Sequence, residues 1–364
     1  MAKYCIFCGK PPVDKNKEHV IPRWLIELTG DPKRIVRLGL KKETEGELTF
    51  REYAFDQFTF PACEDCNTKH SELESVTKST MVRIIEGKEI TGTEFSDLLD
   101  WFDKVRVGLW LAYHQLDKNL SGITPQFHIE KRIGQFDRLL FVEKDTSTKQ
   151  RLNFAGADTF AFAYLPTAFT LMINNYYFTN ISSLFLFSRR LGFPYPDELF
   201  KDANSPQLKC NIMPARERVM HPVLPRFTRS DVIKFYQPMF GQNLHPEKIP
   251  HYDNEYVKQH CYNHALGIGA IFSESNSGEI EVIKSNDKIT INPKTRHSFE
   301  EQTLLSVIDT YEWQNWLMSQ PPNYDHLEPE HRRTIRGQHS AAKKFNDFFI
   351  NHHKKILIKH RTMK

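Results

Sequence analysis

Two Cys-x-x-Cys pairs, Cys5/Cys8 and Cys63/Cys66, limit what the first part of this chain can fold into. Each pair places two sulfurs in one tight turn. Two such turns complete the tetrahedral four-sulfur shell that holds structural Zn2+. Six cysteines in 364 residues are too sparse for a disulfide scaffold, and the N-terminus MAKYCIFCGK has no apolar stretch of the secretory type. The four paired cysteines are therefore read as metal ligands. The ion would close the long segment between Cys8 and Cys63, which a small core could not hold alone. Residues 1–90 are expected to form this zinc-stapled unit.

The rest of the chain reads as a larger mixed body over 91–330 and a basic tail over 331–364. Apolar residues from Phe95 to Leu116 recur every three or four positions, which predicts a helix from about Thr93 to Asp117. Trp101, Trp110 and Tyr113 widen its stripe. Short aromatic-rich runs at Leu139–Val142, Thr159–Tyr164, Phe169–Ile173 and Leu184–Phe187 favour strands. Ile280–Ile283 and Ile289–Ile291 read as a further hairpin. Helical spacing returns from Glu300 to Met318, and a last helix is expected from near Ser340. The fold class is therefore α+β. With 40% hydrophobic and 12% aromatic residues the chain is not intrinsically disordered. The greasiest stretch, Thr159 to Phe178, is broken by Pro166, Thr167, Thr170, Asn174 and Asn175, so no membrane span and a cytoplasmic location are expected.

The formal net charge of +4 conceals an uneven distribution. The tail carries Arg332, Arg333, Arg336, Lys343, Lys344, Lys354, Lys355, Lys359, Arg361 and Lys364 against Asp347 alone, a local charge of +9 beside −5 for the remainder. Such a basic helix is the footprint of a phosphate-binding element, or else a solvated tail. His260, Cys261 and His264 lack further ligands nearby and are read as structural. Cys210 is isolated and read as buried or inert. No P-loop and no dinucleotide fingerprint is present.

Between the cysteine pairs lies Glu18-His19-Val20-Ile21-Pro22, and the second pair runs directly into Asn67. Cys-x-x-Cys, then Glu-His-Val-Ile-Pro, then Cys-x-x-Cys-Asn resembles the HNH endonucleases, whose ββα-metal or treble-clef unit hydrolyses phosphodiesters. The resemblance covers about residues 4–75. It implies His19 as general base and Glu18 and Asn67 as ligands of a catalytic Mg2+ or Mn2+. Asn67, His70 and Glu74 share one helix face. His70 reads as a further ligand or a solvated helix residue, and Glu74 as a ligand or a solvated acid. Lys17 and Arg23 would hold phosphate oxygens or pair with local acids. Many family members carry an Asn about five residues before the third cysteine; here Phe58 stands there, with Asp56 and Gln57 beside it.

The chemistry suits these residue types. Phosphodiester hydrolysis needs an in-line water, a base for its proton and positive charge for the developing oxyanion. A histidine titrating near neutrality serves as the base. Adjacent strand residues point to opposite faces, so Glu18 and His19 serve different partners. The resemblance implies a DNA endonuclease, with RNA as an alternative substrate, of the kind used in bacterial restriction or anti-phage defence. A regulatory subunit or small-molecule activator would act through the body, and paired cuts on a duplex would favour a homodimer. The competing readings are a zinc module that binds nucleic acid without cutting it, and a nuclease toxin active only with a partner or ligand.

Overall fold

The computed structural model describes residues 4–42, 48–116, 122–183, 186, 195–201, 208–213, 232–237, 239, 271–274, 280–319 and 327–363. His260, Cys261, His264 and Lys364, and the side chain of Cys210, lie outside the described residues.

The N-terminal part is built on a hairpin and a helix. Strand β1 (Lys15–His19) pairs antiparallel with β4 (Thr59–Cys63), with Glu18 opposite Phe60 and His19 opposite Thr59. Helix α2 (Glu64–Ile85) starts directly from the end of β4, with Glu64 and Asp65 in its first turn, where acids suit the helix dipole. Between the two strands lie the short helix α1 (Arg23–Leu28), which starts immediately after Pro22, and the hairpin β2 (Ile35–Lys42) with β3 (Leu48–Ala54). A 3-10 turn at Phe55–Gln57 leads back into β4.

After β5 (Ile90–Thr91) comes α3 (Gly92–Leu116), as the apolar spacing predicts. It is buried along nearly all of its length from Leu98 to His114. The body is a seven-stranded antiparallel sheet in the order β14-β13-β12-β6-β9-β8-β7. Its strands are β6 (Asp137–Lys144), β7 (Leu152–Ala155), β8 (Ala168–Ile173), β9 (Tyr176–Ser183), β12 (Ile233–Gln237), β13 (Ile271–Glu274) and β14 (Ile280–Ile283). Strands β10 (Tyr195–Lys201) and β11 (Leu208–Met213) form a separate hairpin, and β15 (Lys288–Ile289) pairs with β5.

Both faces of the sheet are buried, which explains its apolar runs. Along β6, Leu140 and Val142 join the core on the α3 side, while Leu139 and Phe141 pack with Trp313 and Trp316 of α5 (Phe299–Met318). Outside α5 lies α6 (Pro329–Thr362), held through Ile350 and Leu357 against Ile308 and Tyr311. The layers therefore run from the N-terminal hairpin through α3 and the sheet to α5 and α6. One hydrophobic cluster extends from Cys5 to Ile291 and so crosses residue 90 without interruption.

Several sequence expectations are corrected. Thr159–Tyr164 is not a strand: Thr159 caps the short helix α4 (Phe160–Tyr164), its hydroxyl accepting from the Phe162 amide. The apolar run there fills a helix because β7 and β8 already complete that edge of the sheet. Strand β9 was not foreseen. It follows a tight turn in which Asn174 takes φ +52°, a conformation asparagine tolerates. Ile280–Ile283 and Ile289–Ile291 do not pair with each other; β14 completes the sheet on β13, and β15 crosses to β5. The last helix begins at Pro329, well before Ser340, with proline in its first turn where its missing N–H costs nothing. Of the run Leu184–Phe187, residues 184, 185 and 187 lie outside the described residues.

Candidate functional site

The four paired cysteines converge. Their sulfurs all lie within 4.8 Å of one another, and Cys8 Sγ is 4.0 Å from Cys63 Sγ. Ligands about 2.3 Å from a tetrahedral Zn2+ stand about 3.8 Å apart, so the cluster fits that ion closely. Backbone amides already face the sulfurs: Cys63 N–H donates to Cys5 Sγ at 3.3 Å, and Val13 N–H to Cys63 Sγ at 3.5 Å. Burial and the neighbouring sulfurs push the Cys66 thiol far above its ordinary value, while amide hydrogen bonds hold Cys5 down despite its burial. A dication at the centre is what would let all four carry charge together. The turn is pinned by Gly9 at φ +75°, where an added Cβ would overlap the His128 ring.

His19 ends β1 and faces an open pocket of about 390 Å³, lined by Arg23, Ile26, Glu27, Asp31, Pro32, Lys33 and Asp56. Pro22 starts α1, which presents Arg23 and Glu27 to the pocket rim, joined to each other at 2.8 Å. Asp56 comes from the 3-10 turn, held by its amide on Pro32 O at 3.2 Å. Burial and the Arg23 guanidinium lower the affinity of His19 for a proton, opposed by Glu74 and Asp56. Burial and the guanidinium thus favour the neutral imidazole, the state a general base requires. Its Nδ1 is enclosed and has no hydrogen-bond partner among the described residues. Phe58 is buried and packs its ring on Phe60 and Tyr53.

Glu18 points the opposite way, into the protein. It is 5% exposed, and Lys104 Nζ of α3 lies 2.5 Å from its Oε1. The same ammonium pairs with Glu74 of α2 and lies 5.6 Å from the centre of the Phe7 ring. Burial works against the charge on Lys104, but the two carboxylates outweigh it and hold the ammonium above its ordinary value. Burial raises the Glu18 carboxyl, with Lys104 opposing. His70 Nδ1–H donates to Cys66 O, 2.8 Å away, and the ring stacks on Phe7 at 4.3 Å. Burial lowers its proton affinity. Asn67 sits partly exposed in the first turn of α2, and Lys17 is exposed on β1.

Glu18 and Glu74 therefore share one lysine, while His70 is engaged by Cys66 O and the Phe7 ring. Among the described residues, the four cysteines form the one group of three or more His, Cys, Asp or Glu side chains whose ligand atoms lie within 4.8 Å of one another. As arranged here, the donors around Glu18 do not fit a divalent ion, because a cation already stands between the two carboxylates. Sequence reasoning missed Lys104. The available signal was its place, with Asp103 and Arg106, among the large apolar residues from Trp101 to Tyr113. It also missed Lys33, Glu27 and Asp31, which no motif marks.

Helix α6 divides its basic residues into two groups. Lys343 pairs with Asp347 at 2.6 Å, Lys354 with Glu312 at 2.7 Å and Arg361 with Glu301 at 2.6 Å. Arg333, Arg336, Lys344, Lys355 and Lys359 are exposed without a carboxylate partner among the described residues. Lys344, Lys355 and Lys359 share one side of the helix with Phe348, which is 66% exposed. Arg332, Arg333 and Arg336 line a shallow concavity of about 380 Å³ at the helix start. Among the described residues no helix is long and apolar enough to cross a membrane.

No protein-family model, curated protein or solved structure matches this chain.

Proposed function

We propose that the chain is an HNH-type endonuclease that hydrolyses phosphodiester bonds of DNA. The observation that carries this reading is the placement of His19. It ends a strand whose partner runs through a metal-ready cysteine cluster into a helix, and it opens onto a pocket lined by Arg23 and Lys33 beside Glu27, Asp31 and Asp56. In this reading His19 takes the proton from the attacking water. Arg23 and Lys33 hold the phosphate oxygens, and Zn2+ on Cys5, Cys8, Cys63 and Cys66 fixes the hairpin against α2. The unpaired basic side of α6 attracts the nucleic-acid backbone. The resemblance implies Mg2+ or Mn2+ on Glu18 and Asn67. Lys104 already stands at Glu18, so the residues there do not fit such an ion. The body over 91–330 serves targeting or control, as in a restriction or defence effector.

The test is cleavage of supercoiled plasmid and of RNA by the full chain, in Mg2+, Mn2+ or chelator, beside His19→Ala. Cleavage of DNA lost by at least about a hundredfold in His19→Ala supports the reading, since a general base contributes roughly that much. Cleavage of RNA alone reassigns the substrate. Binding of DNA with no cleavage in any condition makes the chain a zinc-dependent nucleic-acid-binding protein instead.

A further inference from the structure

We infer that Lys104 is the resident cation of the Glu18–Glu74 carboxylate pair, and that this pair does not take up a divalent ion. The inference takes its candidate ligands from the nuclease reading, but it concerns the opposite face of β1 from His19.

The argument starts from where the three side chains are anchored. Glu18 comes from β1, Glu74 from the third turn of α2, and Lys104 from the middle of α3. The lysine side chain is 2% exposed, that of Glu18 7% and that of Glu74 23%. A buried carboxylate is stable only when paired, and here one ammonium serves two of them. The Phe7 ring lies beside the ammonium and adds a weak attraction of the cation–π kind. A divalent ion bridging Glu18 and Glu74 would have to occupy the space where Nζ lies, or sit within a few ångströms of a like charge.

Lys104 is not placed to swing out. Its neighbours Asp103 and Val105 are fully buried, and Arg106 is 3% exposed. Asp103 accepts from Arg106 Nη2 at 2.7 Å, from the Gly134 amide at 3.0 Å and from Arg138 Nη1 at 3.1 Å. Arg106 Nε donates in turn to Pro166 O at 3.0 Å. Moving the backbone at 104 would therefore break a network that ties α3 to the sheet. The triad, one ammonium shared by two carboxylates, is a strut between the N-terminal hairpin and the body, and it makes the cation at Glu18 a part of the chain.

The experiment counts Mn2+ bound by the full, zinc-loaded chain from the loss of the free-ion electron paramagnetic resonance signal. Wild type, Glu18→Gln, Glu74→Gln and Lys104→Met are compared, each checked for folding by near-ultraviolet circular dichroism. The expected result is that wild type and both glutamine variants bind equal amounts of Mn2+. A folded Lys104→Met chain gains about one ion, because two carboxylates then lack a cation. Wild type binding an Mn2+ that either glutamine variant loses overturns the inference. So does a folded Lys104→Met chain that gains none. Where Lys104→Met does not fold, the wild-type and glutamine counts decide alone. A chain that cuts no nucleic acid yet gives the expected counts sinks the nuclease reading and leaves this inference standing.

Discussion

Replacing Lys104 by methionine keeps most of the side chain and removes its charge. The structure allows the cost to be worked out. Glu18 and Glu74 both pair with the one ammonium, so without it their carboxylate oxygens face each other within about 5 Å, a repulsion of at least about 3 kcal/mol at an effective dielectric constant near 20. Measured losses on removing one partner of a buried pair fall at about 3–5 kcal/mol, in agreement. Lys104→Met should therefore lower the unfolding free energy by about 3–5 kcal/mol near pH 7. The triple variant Glu18→Gln/Lys104→Met/Glu74→Gln should recover most of it, since amides of the same shape carry no charge to bury.

Urea unfolding followed by fluorescence reads this directly, because Trp101 is fully buried on α3 and packs on Trp24. The pH dependence gives a second check. The Glu18 carboxyl is raised by burial even with Lys104 present, and more so without it. A raised carboxyl contributes stability below its unfolded value and loses it as pH rises through the folded one. The gap between wild type and Lys104→Met should therefore narrow as pH falls from 7 towards 4.5, the ordinary carboxyl value. On the alkaline side the sign holds too. Lys104 is raised above 10.5, so its contribution is intact below that pH and is lost as pH rises beyond it. A loss under about 1 kcal/mol, unchanged between pH 7 and 5, would refute the buried-triad account, because that is the range of an exposed pair.

The remaining predictions concern the other sites. Cys66→Ser, or prolonged chelation of the wild type, should release one Zn2+ per chain by colorimetric assay and lower the melting temperature; full metal-free stability would mean that the cluster is not a structural centre. Arg23→Ala should raise the His19 titration seen by NMR, since the guanidinium is the second largest cause holding it down after burial; a downward move would contradict this field. If cleavage is found, the acid limb of its rate profile should follow the same upward shift. Reversing Lys344, Lys355 and Lys359 to glutamate should weaken DNA binding and flatten its salt dependence by about 0.9 per lost phosphate contact. The equivalent reversal of Lys343 and Lys354, which already rest on acids, should do less.

What the sequence carried and what it concealed divide along local and non-local lines. The cysteine pairs were legible because each is a turn of four residues with its chemistry inside it, and the structure brings all four sulfurs together. Helices α3 and α5 were legible from spacing, because an amphipathic repeat is written along one segment. Thr159–Tyr164 is misleading in the sequence because a short apolar run has no period that separates helix from strand, and only the completed sheet edge decides it. Strand pairing was also out of reach: nothing local tells β15 to cross to β5 when β14 lies nearer in the chain. The candidate site shows the same division. The sequence by itself determined the Glu18-His19 dipeptide and, through strand alternation, that its two side chains part company. Only the tertiary structure decided what each one meets, because Lys104 lies 86 residues from Glu18 and reaches it through the packing of α3 on the N-terminal hairpin. Charge compensation inside a protein is set by whatever the fold brings within a few ångströms, and no short stretch of sequence contains that information.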